Sequence, residues 1–252
     1  MFGEKMVFTM ESEYLRCETQ VGVIVPKQIN KCLLLLHGYN GSFKHMEDNF
    51  PLEDYAAENN MLIVSPSMNN GYYINKSNYG VNDFFMRELL PLIFRTYGLK
   101  EELPMYIAGI SMGGYGSLLI GATFASKFKK IISVSGAFIA HDVAIGNPQV
   151  VGLPADKDTF RYFKNTFAPF DTLEEDTHRN PLAAIVASDV HALPEIIMTC
   201  GTKDELYERN MEARRLFEKH GVVYDWFPIE NGIHDYQCFD AGLRYAFKRL
   251  EA

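Results

Sequence analysis

Residues 105–122 read Met105-Tyr106-Ile107-Ala108-Gly109-Ile110-Ser111-Met112-Gly113-Gly114-Tyr115-Gly116-Ser117-Leu118-Leu119-Ile120-Gly121-Ala122. A short apolar run enters a Gly-x-Ser-x-Gly turn, and an apolar, glycine-spaced segment leaves it. The order is strand, sharp turn, helix, with a serine at the turn. Such a turn holds its serine in a strained backbone conformation and projects the hydroxyl from the sheet edge. Gly109 and Gly113 supply bare backbone where strand and helix nearly touch. Met112 opens the helix, so its amide is expected to face an oxyanion. The competing reading is a Gly/Ser turn that serves packing alone.

Upstream, residues 6–10 and 20–25 alternate and are rich in β-formers, which predicts two antiparallel strands ended by Pro26. Cys32-Leu33-Leu34-Leu35-Leu36 is continuously apolar, the pattern of a central strand covered on both faces. It runs into His37-Gly38-Tyr39-Asn40-Gly41-Ser42. A glycine-bracketed loop after a central strand can turn an amide toward a ligand, and the Tyr39 amide is the expected second oxyanion donor. His37 is expected to hold this loop by hydrogen bonds rather than to act as a base. Residues 51–59 predict a helix with proline near its start, and 61–66 a buried strand. The stretch 68–80 is polar and long for a connection inside a compact domain. Its Tyr72 and Tyr73 are candidates for substrate contact, with surface packing as the alternative. Apolar spacing predicts a helix over 81–97, stopped by Gly98.

Downstream, 130–136 is a further strand. Residues 138–190 then break the rhythm with Gly146-Asn147-Pro148, Pro154, Pro169, the acidic Glu174-Glu175-Asp176 and Asn180-Pro181. Phe160, Phe163, Phe167 and Phe170 recur there at helical spacing beside Tyr162. This predicts a cap inserted over the C-terminal edge of the sheet. Phe163 and Phe167 are its candidates for lining an acyl or aryl pocket, although aromatic stripes more often pack one layer onto another. The alternation resumes with a strand over 194–201, a helix over 206–220, a strand over 222–227, a loop over 232–235 and a helix over 236–250. Strand–helix alternation predicts an α/β fold, a mostly parallel sheet with helices on both faces. One domain spanning 1–252 is expected, with the cap at about 138–190.

The 252 residues are 47% hydrophobic and 22% charged, enough to bury a sizeable core. The net charge is −8, from 24 basic and 32 acidic residues, with no basic run. Nucleic acid and anionic membrane are therefore disfavoured as partners. No apolar run approaches the ~18 residues of a membrane span. Four cysteines lie far apart without a Cys-x-x-Cys pair, which disfavours a zinc site or disulfide framework. Reduced thiols, and an N-terminus without a basic region followed by an apolar stretch, point to a cytoplasmic protein. A homo-oligomer is compatible with this composition.

A serine hydroxyl is a poor nucleophile unless a base lies within hydrogen-bond reach, and that base needs a carboxylate to fix its tautomer. In open α/β sheets such groups gather at the C-terminal ends of strands. Of the seven histidines, only His234 follows the last strand in a glycine-containing loop that leads into a helix. His234 is the expected base. Asp204, three residues past Gly201 at another strand end, is the expected carboxylate, with Asp142 as the alternative. Asp235 neighbours His234, and its side chain should point elsewhere. Ser111, Asp204 and His234 together predict acyl transfer through a covalent intermediate, with no metal or cofactor required and a small-molecule ester as partner.

These segments carry a family resemblance. Residues 33–41, 108–116, 200–207 and 232–236 resemble the esterase D group of α/β-hydrolases, near bacterial tributyrin esterases. They are also similar to S-formylglutathione hydrolases and to feruloyl and acetylxylan esterases. The resemblance implies an α/β-hydrolase fold and hydrolysis of carboxylic esters with short acyl chains. Tyr39-Asn40-Gly41 resembles the tributyrin esterase form of the oxyanion loop better than the glutathione hydrolase form. A feruloyl or acetylxylan esterase, an acyltransferase and a non-catalytic binding module on the same scaffold are the rival expectations.

Overall fold

The apolar runs assemble into one sheet of eight strands: β1 (Phe2–Ser12), β2 (Cys17–Pro26), β3 (Lys31–Leu36), β4 (Met61–Pro66), β5 (Met105–Ile110), β6 (Lys130–Val134), β7 (Glu195–Gly201) and β8 (Tyr224–Ile229). This is a computed structural model, and it describes residues 2–144, 157–167, 172 and 174–250. The strands lie in the order β1-β2-β4-β3-β5-β6-β7-β8. β1 pairs antiparallel with β2, and β2 with β4; every other pairing is parallel. β3 to β6 are buried along their whole length, as their unbroken apolar runs require.

Side-chain alternation divides the core into two layers. Leu33 and Leu35 of β3, with Tyr106 and Ala108 of β5, face helices α1 (Phe43–Asn49), α2 (Leu52–Asn59) and, near the C-terminus, Tyr236–Phe247. Leu34, Leu36 and Ile107 face the opposite layer. That layer holds α3 (Val81–Asp83), which passes through a π-helical turn, Phe84–Leu89, into α4 (Leu90–Thr96). Pro91 has no amide to return to the preceding turn, and the widened turn just before it accommodates its ring. The same layer holds α5 (Met112–Thr123). Among the described residues, the segment expected as a cap holds α6 (Ala140–Ala144), α7 (Lys157–Phe167) and α8 (Pro181–Val186); α9 (Tyr207–Lys219) and α10 (Tyr236–Phe247) follow it. No described helix is long and apolar enough to cross a membrane.

Two local expectations are revised. Asn180-Pro181 starts a helix rather than breaking one: the Asn180 side chain accepts the Leu182 amide, and Pro181 sits in the first turn. Ser42 caps α1 in the same way through the His45 amide. Val222 and Val223 precede the last strand instead of starting it. Gly221, at φ +69, ends α9: its amide bonds to Glu218 O, and the Val222 amide bonds to Phe217 O.

The chain visits β3, moves to β4 on one side, crosses back over β3 and continues through β5 to β8 on the other. The switch point lies between the C-terminal ends of β3 and β5, where a crevice opens in folds of this kind. Residues 37–42 and Ser111 leave the sheet at those two ends.

Candidate active site

Ser111 has φ 53 and ψ −115, a conformation that L-residues avoid. Its amide donates to Val134 O at 2.9 Å, and its carbonyl accepts from Ala137 N at 3.0 Å, so both flanks are held. The glycines around it are sterically required. A Cβ at Gly109 would lie 2.1 Å from Gly113 O, and one at Gly113 would lie 2.2 Å from Leu36 O. Bare backbone at both positions lets α5 start directly against β5 and β3.

Three side chains meet at this turn. His234 Nε2 lies 3.0 Å from Ser111 Oγ, and His234 Nδ1 lies 2.9 Å and 3.0 Å from the two Asp204 carboxylate oxygens. Asp204 Oδ1 also accepts the Leu206 amide at 2.8 Å. The loops carrying His234 and Asp204 are joined by backbone: Lys203 N bonds to Gly232 O, and a Cβ at Gly201 would strike Gly232 O at 2.3 Å. Burial by itself raises the pKa of the Asp204 carboxyl. Hydrogen bonds and charge from His234, with the Leu206 amide, outweigh that and hold it below the ordinary carboxylate value. The alternative carboxylate, Asp142, is turned away and paired with Arg209 Nε at 2.7 Å. Asp235 caps α10 by accepting the Cys238 amide at 2.8 Å, so it does point elsewhere.

The loop after β3 is fixed from within and from outside. His37 is fully buried; its Nε2 accepts the Met68 amide at 2.8 Å, which leaves Nδ1 to donate to Gly38 O at 2.7 Å. This is the holding role expected of it. Gly41 N closes on Gly38 O at 3.0 Å, around Asn40 in the left-handed region at φ 56. Asn70 accepts the Asn40 amide at 2.7 Å and donates back to the Asn40 side chain at 2.6 Å. A Cβ at Gly38 would rest 3.5 Å from Ser111 Cβ, so this loop lies directly beside the serine. Tyr39 lies inside the tight turn, and the Met112 amide is the first of α5, without an acceptor in its own helix.

A cavity of about 480 Å³ opens over these groups, lined by Gly38, Tyr39, Tyr72, Ser111 and His234 among others. Of the aromatic candidates for substrate contact, only Tyr72 reaches it. Tyr73 instead packs on Gly116 and donates to His37 O at 3.0 Å, bracing the loop. Phe163 and Phe167 are fully buried and stacked on each other, with Tyr72 edge-on to both rings. They pack α7 onto the body and do not line the cavity, because the apolar face of α7 is used up in that contact. Phe170 and residues 146–148, 154 and 169 lie outside the described residues, as does the side chain of Phe160. Sequence reasoning did not anticipate Met46 and Phe239 as lining residues, nor Glu205 and Asp235 as the charged groups of the wall. Only the chain order around Asp204 and His234 hinted at the last two.

A family model, Esterase, matches residues 12–250. The chain is similar to an acetyl esterase of Caldicellulosiruptor saccharolyticus, 27% identical over 227 residues that make up 86% of this chain and 82% of the relative. Among solved structures it is similar to the S-formylglutathione hydrolase FrmB of Staphylococcus aureus, with TM-score 0.81, 21% identity and 98% of each chain covered. A ferulic acid esterase structure matches with TM-score 0.78 and 19% identity over 97% of this chain and 95% of that one. At such identities the structural likeness speaks for the fold, an α/β-hydrolase fold. The family match spans nearly the whole sequence: the chain belongs to the Esterase family and is a carboxylic ester hydrolase.

Proposed function

We propose that the protein hydrolyses uncharged esters of short acyl chains through Ser111, with His234 as base and Asp204 as its carboxylate. The observation that carries this reading is the unbroken hydrogen-bond chain from Ser111 Oγ through His234 to Asp204 at the floor of the cavity. His234 Nε2 takes the hydroxyl proton as Ser111 Oγ attacks the acyl carbon. Asp204 holds Nδ1–H and offsets the charge of the imidazolium that forms. The oxyanion forms between the amides of Met112 and Tyr39, both preset by backbone geometry rather than by mobile side chains. Protonated His234 then passes its proton to the departing alcohol, and water repeats the sequence on the acyl-enzyme to release the acid. In this reading residues 1–252 work as one domain, with the segment at about 138–190 as its cap.

Size and charge support the substrate class. The cavity lining includes the apolar side chains of Ala137, Ile139 and Leu206, which suit a short acyl group. Phe163 and Phe167 are committed to packing, so the described residues offer no slot between them for a cinnamoyl ring. The likeness to an acetyl esterase fits a two-carbon acyl group. Among the described residues, the lining includes the carboxylates of Glu205 and Asp235 but no lysine or arginine. That wall opposes an anionic leaving group such as glutathione. A chain-length series of p-nitrophenyl acetate, butyrate and octanoate, with methyl ferulate and S-formylglutathione, tests the reading. The expected order of kcat/KM is acetate and butyrate far above the other three, all turnover being lost in Ser111→Ala. Preference for methyl ferulate or the thioester overturns the substrate class; activity retained by Ser111→Ala overturns the mechanism.

A further inference from the structure

β6 hands the chain to the cap through Ser135, which sits at φ 47, a left-handed conformation unusual for a residue other than glycine. Its amide bonds to Thr199 O on β7 at 2.7 Å, and its side chain is fully buried. Its hydroxyl has no hydrogen-bond partner among the described residues. A buried hydroxyl without a partner is uncommon enough to need a reason. Around that hydroxyl stand the Asp204 carboxylate and the thiols of Cys200 and Cys238. Burial pushes both thiols up, Cys238 to about 11, so both stay protonated and serve as weak S–H donors. Of these three groups, Asp204 is the strong acceptor.

Asp204 is underused as an acceptor. A carboxylate offers about four lone-pair sites. Among the described residues, Oδ1 takes the Leu206 amide and shares His234 Nδ1–H, whereas Oδ2 takes His234, with the weakly donating Cys200 thiol nearby. The Asp204 side chain is 0% exposed, so bulk water does not fill the remaining sites. The two segments are also clamped together. The buried Asn210 side chain donates to Gly136 O at 3.0 Å and to Leu206 O at 2.9 Å, joining the backbone beside Ser135 to the backbone beside Asp204.

We propose that Ser135 is a positioning residue whose hydroxyl donates to the Asp204 carboxylate, fixing its plane toward His234 Nδ1. A modest rotation of the hydroxyl gives Asp204 a third donor and leaves the Ser135 oxygen free to accept from the neighbouring thiols. The strained turn is what aims the hydroxyl inward; a residue with φ below zero here would direct its side chain differently. The role rests on the assignment of Ser111, His234 and Asp204 as the reacting groups.

Two variants separate this role from plain packing. Ser135→Ala removes the hydroxyl, and Ser135→Gly removes it while relieving the backbone, so the fold is not lost with the hydrogen bond. With p-nitrophenyl acetate, both should lower kcat about 10-fold, by analogy with removing the hydrogen-bond partner that orients a metal-binding side chain, while KM stays within about twofold. In an Asp204→Ala background, assayed on its residual activity, the same substitutions should cost nothing further, because the acceptor they serve is gone. Unchanged kcat in both variants, or an equal loss with and without the Asp204 carboxylate, overturns the proposal. If Ser111→Ala is inactive while the Ser135 variants keep full kcat, only the positioning role falls. If Ser111→Ala remains active, the assignment beneath it falls as well.

Discussion

Ser111 combines a demand of the backbone with a demand of chemistry. Its conformation, at φ 53, costs about 1–3 kcal/mol for a residue with a Cβ. Glycine has no such cost, so Ser111→Gly should be more stable than Ser111→Ala by about 1 kcal/mol. For a chain of this size that difference is about 2–4 °C in Tm, measurable by thermal melts of the two inactive proteins. Equal melting points would contradict the strain. His37 supplies a second test at this scale. Burial, the largest influence on its ring, pushes its pKa below the ordinary 6.5, and its Nε2 is occupied as an acceptor. The unfolded chain gains a proton near pH 6.5 that the folded ring refuses. Stability contributed by the neutral ring is therefore complete above that pH and declines as pH falls toward the folded value. NMR of the ring should show His37 titrating below the ordinary 6.5; titration at or above that value would contradict its buried acceptor role. Ser111, Asp204 and His234 were legible in the sequence because each sits at a strand end beside glycine. Ser135 was not, since nothing local distinguishes a strained serine from an ordinary one at the end of a strand.

At the scale of elements, the loop over residues 37–42 is set by partners about thirty positions away. Met68, Asn70 and Tyr73 hold it through hydrogen bonds to His37 and Asn40. A local pattern revealed its glycines but not these braces, so Tyr73 passed for a substrate contact. Space at Gly41 is the loop's narrowest point, because a Cβ there would lie 2.8 Å from both Gly38 O and His37 Nδ1. Gly41→Ala must therefore displace the turn that carries the Tyr39 amide. If that amide is an oxyanion donor, kcat should fall about 100-fold with little change in KM. Unaltered kcat in a folded Gly41→Ala protein would remove Tyr39 from the oxyanion hole. The aromatic stripe of α7 illustrates the same limit. Helical spacing identifies a buried face, but only the fold shows that Tyr72 and Tyr115 cover it.

For the whole molecule, strand–helix alternation was enough to anticipate a mostly parallel sheet, and its order places two predicted loops on either side of one switch point. The wall of the cavity was less legible. α1 and α10 reach it from opposite ends of the chain, contributing Met46 and Phe239, and no periodicity within either helix signals their meeting. Charge acts at this scale too. The chain carries a net −8, and Glu205 and Asp235 line the cavity. Raising ionic strength from about 0.01 M to about 0.15 M shortens the screening length from roughly 30 Å to roughly 8 Å. Neutral p-nitrophenyl acetate should be hydrolysed with the same kcat/KM at both salt concentrations. An anionic thioester such as S-formylglutathione should be used poorly at low salt and several-fold better at high salt, as stopped-flow or steady-state assays at both ionic strengths can record. Salt-independent or salt-inhibited use of the thioester would contradict an acidic wall.

In the proposed mechanism Ser111 forms the covalent bond to the acyl group. The most direct measurement is fluorophosphonate labelling of the intact protein, followed by peptide mass spectrometry to locate the adduct. One adduct per chain is expected, on Ser111, abolished in Ser111→Ala and slowed strongly in His234→Ala. No adduct, or an adduct on another residue that persists in Ser111→Ala, would contradict it.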